Sequence, residues 1–428
     1  MKLYKDVNEL KSAQPTIDDL IYTYVFTQDK ALKDFAYAEV RRLAKASGAY
    51  PASIQNLYEA AAKGAYGKKT VPAINIRGLT YDVARSVFRA AMANKVGPFV
   101  FEIARSEMRY TVQDPAEYAT VVLAAAVKEK YKGPVFIQGD HFQVSSKKYA
   151  ADAQTEINEL KSLIKKAVDA GFYNIDIDAS TLVDIHKPDI NEQQKDNARI
   201  TAELTEYIRG LQPAGVTVSV GGEIGEVGKQ NSTPEELRAF MNQYKTFLKP
   251  GAVGISKISV QTGTAHGGVV LPDGTMAKVQ LDFNTLRTLS DIGRKEFGMA
   301  GAVQHGASTL PEDFFDKFPQ NDTAEVHLAT GFQNMIYESS HFPKEMMAQI
   351  NQHLITNEAA ERKAKDSEEQ FLYKTRKKAF GPFKRQMWDL PQDKVQAIMK
   401  ELEAKFAFLF DKLGVVNTSE LVGKYIKQ

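Results

Sequence analysis

Asp140 and His141 end the apolar run VFIQGDH, and three more histidines stand in comparable settings: His266 in GTAHGG, His305 in VQHGAST and His327 in EVHLAT. A carboxylate beside an imidazole offers two chemistries, an oxygen that takes a proton and a neutral nitrogen that ligates a metal. One histidine on a strand is usually a packed core side chain. Convergence changes the reading, because four of the seven histidines fall at or near the ends of apolar strands. Three histidines with one open position are the common grip on a catalytic zinc, and the absence of cysteine leaves histidine and carboxylate as the available ligands. His141, His266 and His305 are therefore the expected metal ligands, with zinc or another divalent ion between them. The neighbouring small residues, Gly267 after one histidine and Gly306 and Ser308 after another, let backbone amides and a hydroxyl cradle a phosphate.

Elements that could position such residues alternate along the chain. Apolar, β-branched runs occur at 71–76, 98–103, 134–139, 173–180, 216–223, 257–263, 301–307 and 325–330. Amphipathic stretches separate them. In AQTEINELKSLIKKAVDAG, Ile157, Leu160, Ile164 and Val168 share a face and Gly171 supplies the stop. STPEELRAFMNQYKTFL opens with Ser232 or Thr233 as N-cap, then proline and glutamates. Eight such strands predict an α/β fold, a (β/α)8 TIM barrel. In that fold chemistry gathers where strands end. The ends carry Asp140 and His141, then Asp178 and Ser180, then Glu223, followed by His266, His305 and His327.

Residues 1–70 read as a helical lead-in, 71–340 as the barrel, and 341–428 as a charged helical extension packed on the barrel or at an oligomer interface. Interleaved acids and bases in the extension make solvated helix faces. Its apolar members Phe380, Phe383, Met387 and Trp388 suit packing onto the barrel. A surplus of two positive charges leaves no nucleic-acid footprint, and points to neutral or anionic small molecules. No apolar run approaches the roughly 18–20 residues that span a bilayer, so no membrane role and a cytoplasmic location are expected.

The segments FIQGDH, NIDIDAS, GGEIGEVG, GTAHGG and HGAST, in this order, resemble the class II, metal-dependent ketose-bisphosphate aldolases over about 71–340. The resemblance implies a (β/α)8 enzyme of carbohydrate metabolism, usually a homo-oligomer. Such enzymes cleave fructose- or tagatose-1,6-bisphosphate to dihydroxyacetone phosphate and glyceraldehyde 3-phosphate, as in glycolysis and, reversed, gluconeogenesis. It implies that His141, His266 and His305 hold zinc and that Glu223 binds the metal in an alternative position. Asp140 would handle the C4 hydroxyl proton. Gly267, Gly306 and Ser308 would hold the dihydroxyacetone phosphate group, with a monovalent cation in some members. Physical chemistry agrees: retro-aldol cleavage without a Schiff-base lysine needs a Lewis acid for the enediolate and a carboxylate that is not consumed as a ligand. Asp140 and His141 are consecutive, so their side chains are expected to diverge and take the two roles.

Three positions depart from the family pattern. The loop after the fifth strand reads GEVGKQNST, with Gln230 and Asn231 where a mobile acid is expected, which makes Glu226 the substitute. His327 stands where asparagine usually reaches the substrate, and joins Asp178 and Ser180 in the expected substrate-binding set. Ala104 replaces a small hydroxyl residue, with Ser106 nearby. The helical C-terminus and AGFYNIDIDAS also resemble the accessory subunit of tagatose-bisphosphate aldolase. The expected function is fructose-1,6-bisphosphate cleavage; action on tagatose-1,6-bisphosphate or another ketose phosphate, a non-catalytic accessory role, and sugar-phosphate binding without turnover are the alternatives.

Overall fold

The computed structural model describes residues 1–225, 230–263 and 281–427. The described residues hold strands β1 (Ala49–Ala52), β2 (Val71–Asn75), β3 (Val100–Ala104), β4 (Gly133–Gln143), β5 (Asn174–Asp178), β6 (Ser219–Glu223), β7 (Lys257–Ser259), β8 (Ala302–Gln304) and β9 (Glu325–Leu328). From β2 to β9 each strand pairs in parallel with the next, and β9 returns to β2, so eight strands close into a barrel with helices between them. This is the (β/α)8 fold that the alternation predicts. Every residue of β2, β3 and β6 is buried, as parallel strands covered on both faces require.

The connecting helices follow local chemistry. In Ala153–Ala170 the Asp152 carboxylate accepts from the Thr155 amide, and Gly171 ends the helix in a left-handed conformation. Thr233 is the N-cap of Pro234–Phe247 and forms a reciprocal capping box with Glu236.

Residues 49–52, grouped above with the helical lead-in, form β1, which pairs in parallel with the start of β4. Its sequence, AYPA, lacks the β-branched signature. Tertiary contacts hold its end: the Ile54 amide donates to Asn174 Oδ1 at 2.9 Å, and Asn174 Nδ2 donates to the Ala52 carbonyl at 3.2 Å.

The terminal helices cover the outside of the barrel. Ile17–Phe26 and Lys30–Ser47 pack on Pro115–Lys128, and Gln392–Lys412 packs on Thr80–Ala93. Trp388 stacks on Tyr81 with ring centroids 6.0 Å apart and meets Phe26 edge-on at 5.5 Å. Phe380 occupies the space over Gly78, where a Cβ would stand 1.9 Å from its ring. Phe380, Phe383, Met387 and Trp388 are all buried. Among the described residues, no helix is long and apolar enough to cross a membrane.

Candidate active site

Consecutive residues of a regular strand point to opposite faces, yet Asp140 and His141 both line one cavity. The divergence expected from their spacing is corrected by an irregularity in β4. Gly139 pairs with Ile175 but Phe142 with Ile177, so β4 carries one extra residue there. His141 absorbs it with φ 40°, a left-handed conformation that costs about 1–3 kcal/mol in a non-glycine residue. Gly139 permits the fold-back, because a Cβ at that position would stand 2.5 Å from the Phe142 ring. The result brings Asp140 Oδ1 to 3.9 Å from His141 Nε2.

The histidine rings are held by their outer nitrogens. His141 Nδ1 lies 3.0 Å from Glu223 Oε2 and 3.3 Å from Asp178 Oδ2. These carboxylates keep a proton on Nδ1 and turn Nε2 inward. His305 Nε2 lies 2.6 Å from the Ser259 hydroxyl, which leaves Nδ1 as its inward atom. His141 Nε2 and His305 Nδ1 approach to 2.9 Å. Two nitrogens bound to one tetrahedral zinc at about 2.0–2.1 Å stand roughly 3.3 Å apart. The pair thus suits a metal after the rings part by a few tenths of an ångström, and Asp140 completes a group of ligand atoms within 4.8 Å.

Charge balance at this point is tight. Burial opposes a charged His141 ring, but Asp140 and Glu223 outweigh it and hold its pKa well above the ordinary histidine value. Asp178 shows the converse: burial disfavours its charge, yet hydrogen bonds from His141, Ser180 and Gln143 draw its pKa below the usual value. Asp178 and Ser180 do not line the cavity. Asp178 instead supports His141, accepts from Gln143 Nε2 at 2.5 Å, and takes the Ser180 hydroxyl at 2.7 Å.

Beneath lies a buried ionic network that the sequence reading missed. The Lys257 amine donates to Gln138 Oε1 at 2.7 Å, to Asp176 Oδ2 at 2.9 Å and to Glu325. Glu325 also accepts from the Tyr58 hydroxyl, and from Gln138 Nε2 at 2.9 Å. Above it His327 Nε2 lies 2.7 Å from Glu325 Oε1, while Nδ1 lies 2.9 Å from Glu102 Oε2 and 3.2 Å from Asp140 Oδ1. Burial and the Asp140 charge push the Glu102 carboxyl up to about 8. A usable signal was present: Glu102, Gln138, Asp176, Lys257 and Glu325 interrupt apolar strands, and buried charges must find partners.

The cavity encloses about 630 Å³, within the common range for small-molecule sites. Its wall includes His305, Gly306, Ser308 and His327, with Arg77, Arg105, Arg109, Lys148 and Lys377 bringing positive charge. Arg77 is held by Glu107 at 2.8 Å, and Arg105 and Lys148 pair with Glu159. Lys377 comes from the C-terminal extension, in the turn Arg376–Phe380. Burial and the nearby Arg77 charge lower its pKa, and no carboxylate among the described residues pairs with it. Glu226, His266 and Gly267 lie outside the described residues.

Comparison with known proteins bears on the fold and the family. No curated protein matches the chain in sequence. A solved fructuronate-tagaturonate epimerase from Cohnella laeviribosi is similar at 13% identity and TM-score 0.59, covering 85% of this chain and 83% of its own. A probable tagatose 6 phosphate kinase from Sinorhizobium meliloti 1021 is similar at 15% identity and TM-score 0.57, covering 83% and 99%. Fructose-bisphosphate aldolase from Campylobacter jejuni is similar at 14% identity and TM-score 0.50, covering 84% and 94%. At these identities the neighbours speak for the fold alone. The family model for class-II fructose-bisphosphate aldolase matches residues 52–401, a span that runs from β1 through the barrel into the C-terminal helices, and the chain belongs to that family.

Proposed function

We propose that this protein is a zinc-dependent aldolase that reversibly cleaves fructose-1,6-bisphosphate to dihydroxyacetone phosphate and glyceraldehyde 3-phosphate. The observation that carries the reading is the β4 bulge, which sets Asp140 and His141 in one cavity with His305 Nδ1 2.9 Å from His141 Nε2. A scaffold has no need of a left-handed histidine there.

His141 and His305, with His266 from the sequence, would hold the metal, and Glu223 offers a carboxylate for an alternative position. The bound ion supplies a Lewis acid for the charge that develops on the ketone oxygen. Asp140 accepts the C4 hydroxyl proton as the C3–C4 bond breaks, and returns it in the condensation direction. Asp178 acts through His141, holding its tautomer, rather than on substrate. Gly306 and Ser308, with Gly267, hold the dihydroxyacetone phosphate end, while Lys377 and Arg77 meet the second phosphate. Glu226 exchanges the proton at the enediolate carbon, and His327 takes the place of the usual asparagine at the cavity wall. A monovalent cation beside the phosphate loops and a homo-oligomeric assembly complete the reading.

The test is turnover of the purified chain, without a partner, before chelation, after it and after zinc is restored. The panel contains fructose-1,6-bisphosphate, tagatose-1,6-bisphosphate and fructuronate. Loss and return of fructose-1,6-bisphosphate cleavage is the expected outcome. Turnover restricted to another sugar overturns the substrate, and zinc binding without any turnover leaves the accessory role.

A further inference from the structure

We propose that Glu102, Asp140 and His327 form a second divalent-cation site beside the first and share Asp140 with it. Each offers a ligand atom, and the three atoms lie within 4.8 Å of one another. Glu102 and His327 are almost wholly buried, yet both line the cavity, so an ion has a path in.

Orientation of His327 is the first argument. Its Nε2 faces Glu325, a carboxylate that already accepts from Lys257, Gln138 and Tyr58 and so stays an acceptor. With a proton held on Nε2, loss of the proton on Nδ1 would present a lone pair to Glu102 and Asp140, the carboxylate–histidine–metal arrangement. Nδ1 stands 2.9 and 3.2 Å from their oxygens but meets neither in hydrogen-bonding geometry. Glu102 Oε2, the oxygen that faces Nδ1, also accepts from Gln138 Nε2 at 3.1 Å, while its buried Oε1 has no hydrogen-bond partner among the described residues. Burial opposes a charged His327 ring, but Glu102 and Asp140 hold its pKa well above the ordinary histidine value, so this buried cluster calls for a positive charge that either a ring proton or a bound cation supplies.

The layer below supplies a contrast. Asp176, Glu325 and His327 form a similar cluster, and there the chain provides its own cation, Lys257. Among the described residues, no lysine or arginine comes within ion-pairing distance of Glu102. Two carboxylates and an imidazole suit zinc or manganese. Asp140 Oδ1 is 3.2 Å from His327 Nδ1 and 3.9 Å from His141 Nε2, so one oxygen faces both clusters.

The inference rests on the metal-dependent reading only in taking the His141–His305 ion as its reference. Chelator-stripped protein is dialysed against Mn²⁺ alone, and bound metal is counted and its electron paramagnetic resonance spectrum recorded. Two ions per chain with an exchange-coupled spectrum are expected, falling to one uncoupled ion in Glu102→Gln and, separately, in His327→Gln. His141→Ala should also retain one. Circular dichroism checks each variant's folding, and the wild-type count decides alone if both fail to fold. A single ion in the wild type that His141→Ala removes would overturn this site and leave the first standing. Two ions in a folded Glu102→Gln would overturn it as well, and no bound ion in the wild type would overturn both. A proton on His327 in place of a cation predicts the single-ion result.

Discussion

Replacing Lys257 by methionine removes a cation from the barrel interior and leaves Asp176 and Glu325 facing each other in its place. The Lys257 side chain is 2% exposed, so water cannot take over its role. At the 2.9 Å that separates Nζ from Asp176 Oδ2, with an effective dielectric constant of about 20, the Coulomb attraction is roughly 6 kcal/mol. Desolvation offsets much of that attraction in the intact network, but deleting one partner of a buried pair leaves the other charges uncompensated, at about 3–5 kcal/mol. Urea unfolding of the chelated protein at pH 8, followed by fluorescence of the single Trp388, should show this loss. Burial, outweighing the Lys257 charge, already raises the Asp176 pKa. A carboxylate raised in the folded state costs stability as pH climbs through its folded value, so the Lys257→Met deficit must shrink on acidification. Lys257→Met combined with Asp176→Asn should recover part of the loss. A deficit below about 1 kcal/mol at pH 8, or one that grows toward pH 5, would refute the account of the network.

Asp140→Asn should lower cleavage by about 10²–10⁴-fold while His141 and His305 keep their metal, measured by dihydroxyacetone phosphate release and metal analysis. Lys377→Ala should raise KM for a bisphosphate by about 10–100-fold, the worth of a charge-assisted contact, and leave a ketose 1-phosphate nearly unaffected. Metal affinity should climb with pH, because His141, raised well above its usual value, must shed a proton to bind, by up to about tenfold per unit for each proton released. The metal-free protein should move the opposite way: a raised histidine stabilises the fold below its ordinary pKa and loses that contribution as pH passes its folded value, measurable as a falling melting temperature.

The barrel was legible because its strands are buried on both faces and therefore read as apolar runs, and because Gly171 and Thr233 mark helix ends by local chemistry alone. β1 was not, since AYPA is a strand only by virtue of β4 and the Asn174 side chain. His141 and His305 could be singled out by type and position, but their partners could not. Ser259 at His305 and Glu223 at His141 come from other strands, and which residues face inward depends on register. The bulge at Gly139 was invisible for the same reason: one inserted residue changes the face of its neighbours without leaving a compositional trace.

That bulge also explains why the site and the ionic network belong together. Asp140 is pulled toward His141 from above and toward His327 from below, and His327 is fixed by Glu325, which Lys257 holds. A chain of buried charges thus runs from the barrel interior to the carboxylate proposed to move the proton. Its members contribute position rather than net stability, since well-packed apolar residues would fill the same space at no greater cost. Retaining lysine, three carboxylates and a histidine inside the barrel makes sense where Asp140 must keep one orientation while its proton comes and goes. Lys257→Met should then impair turnover beyond its effect on folding, a loss in kcat measured well below the melting temperature with metal content intact.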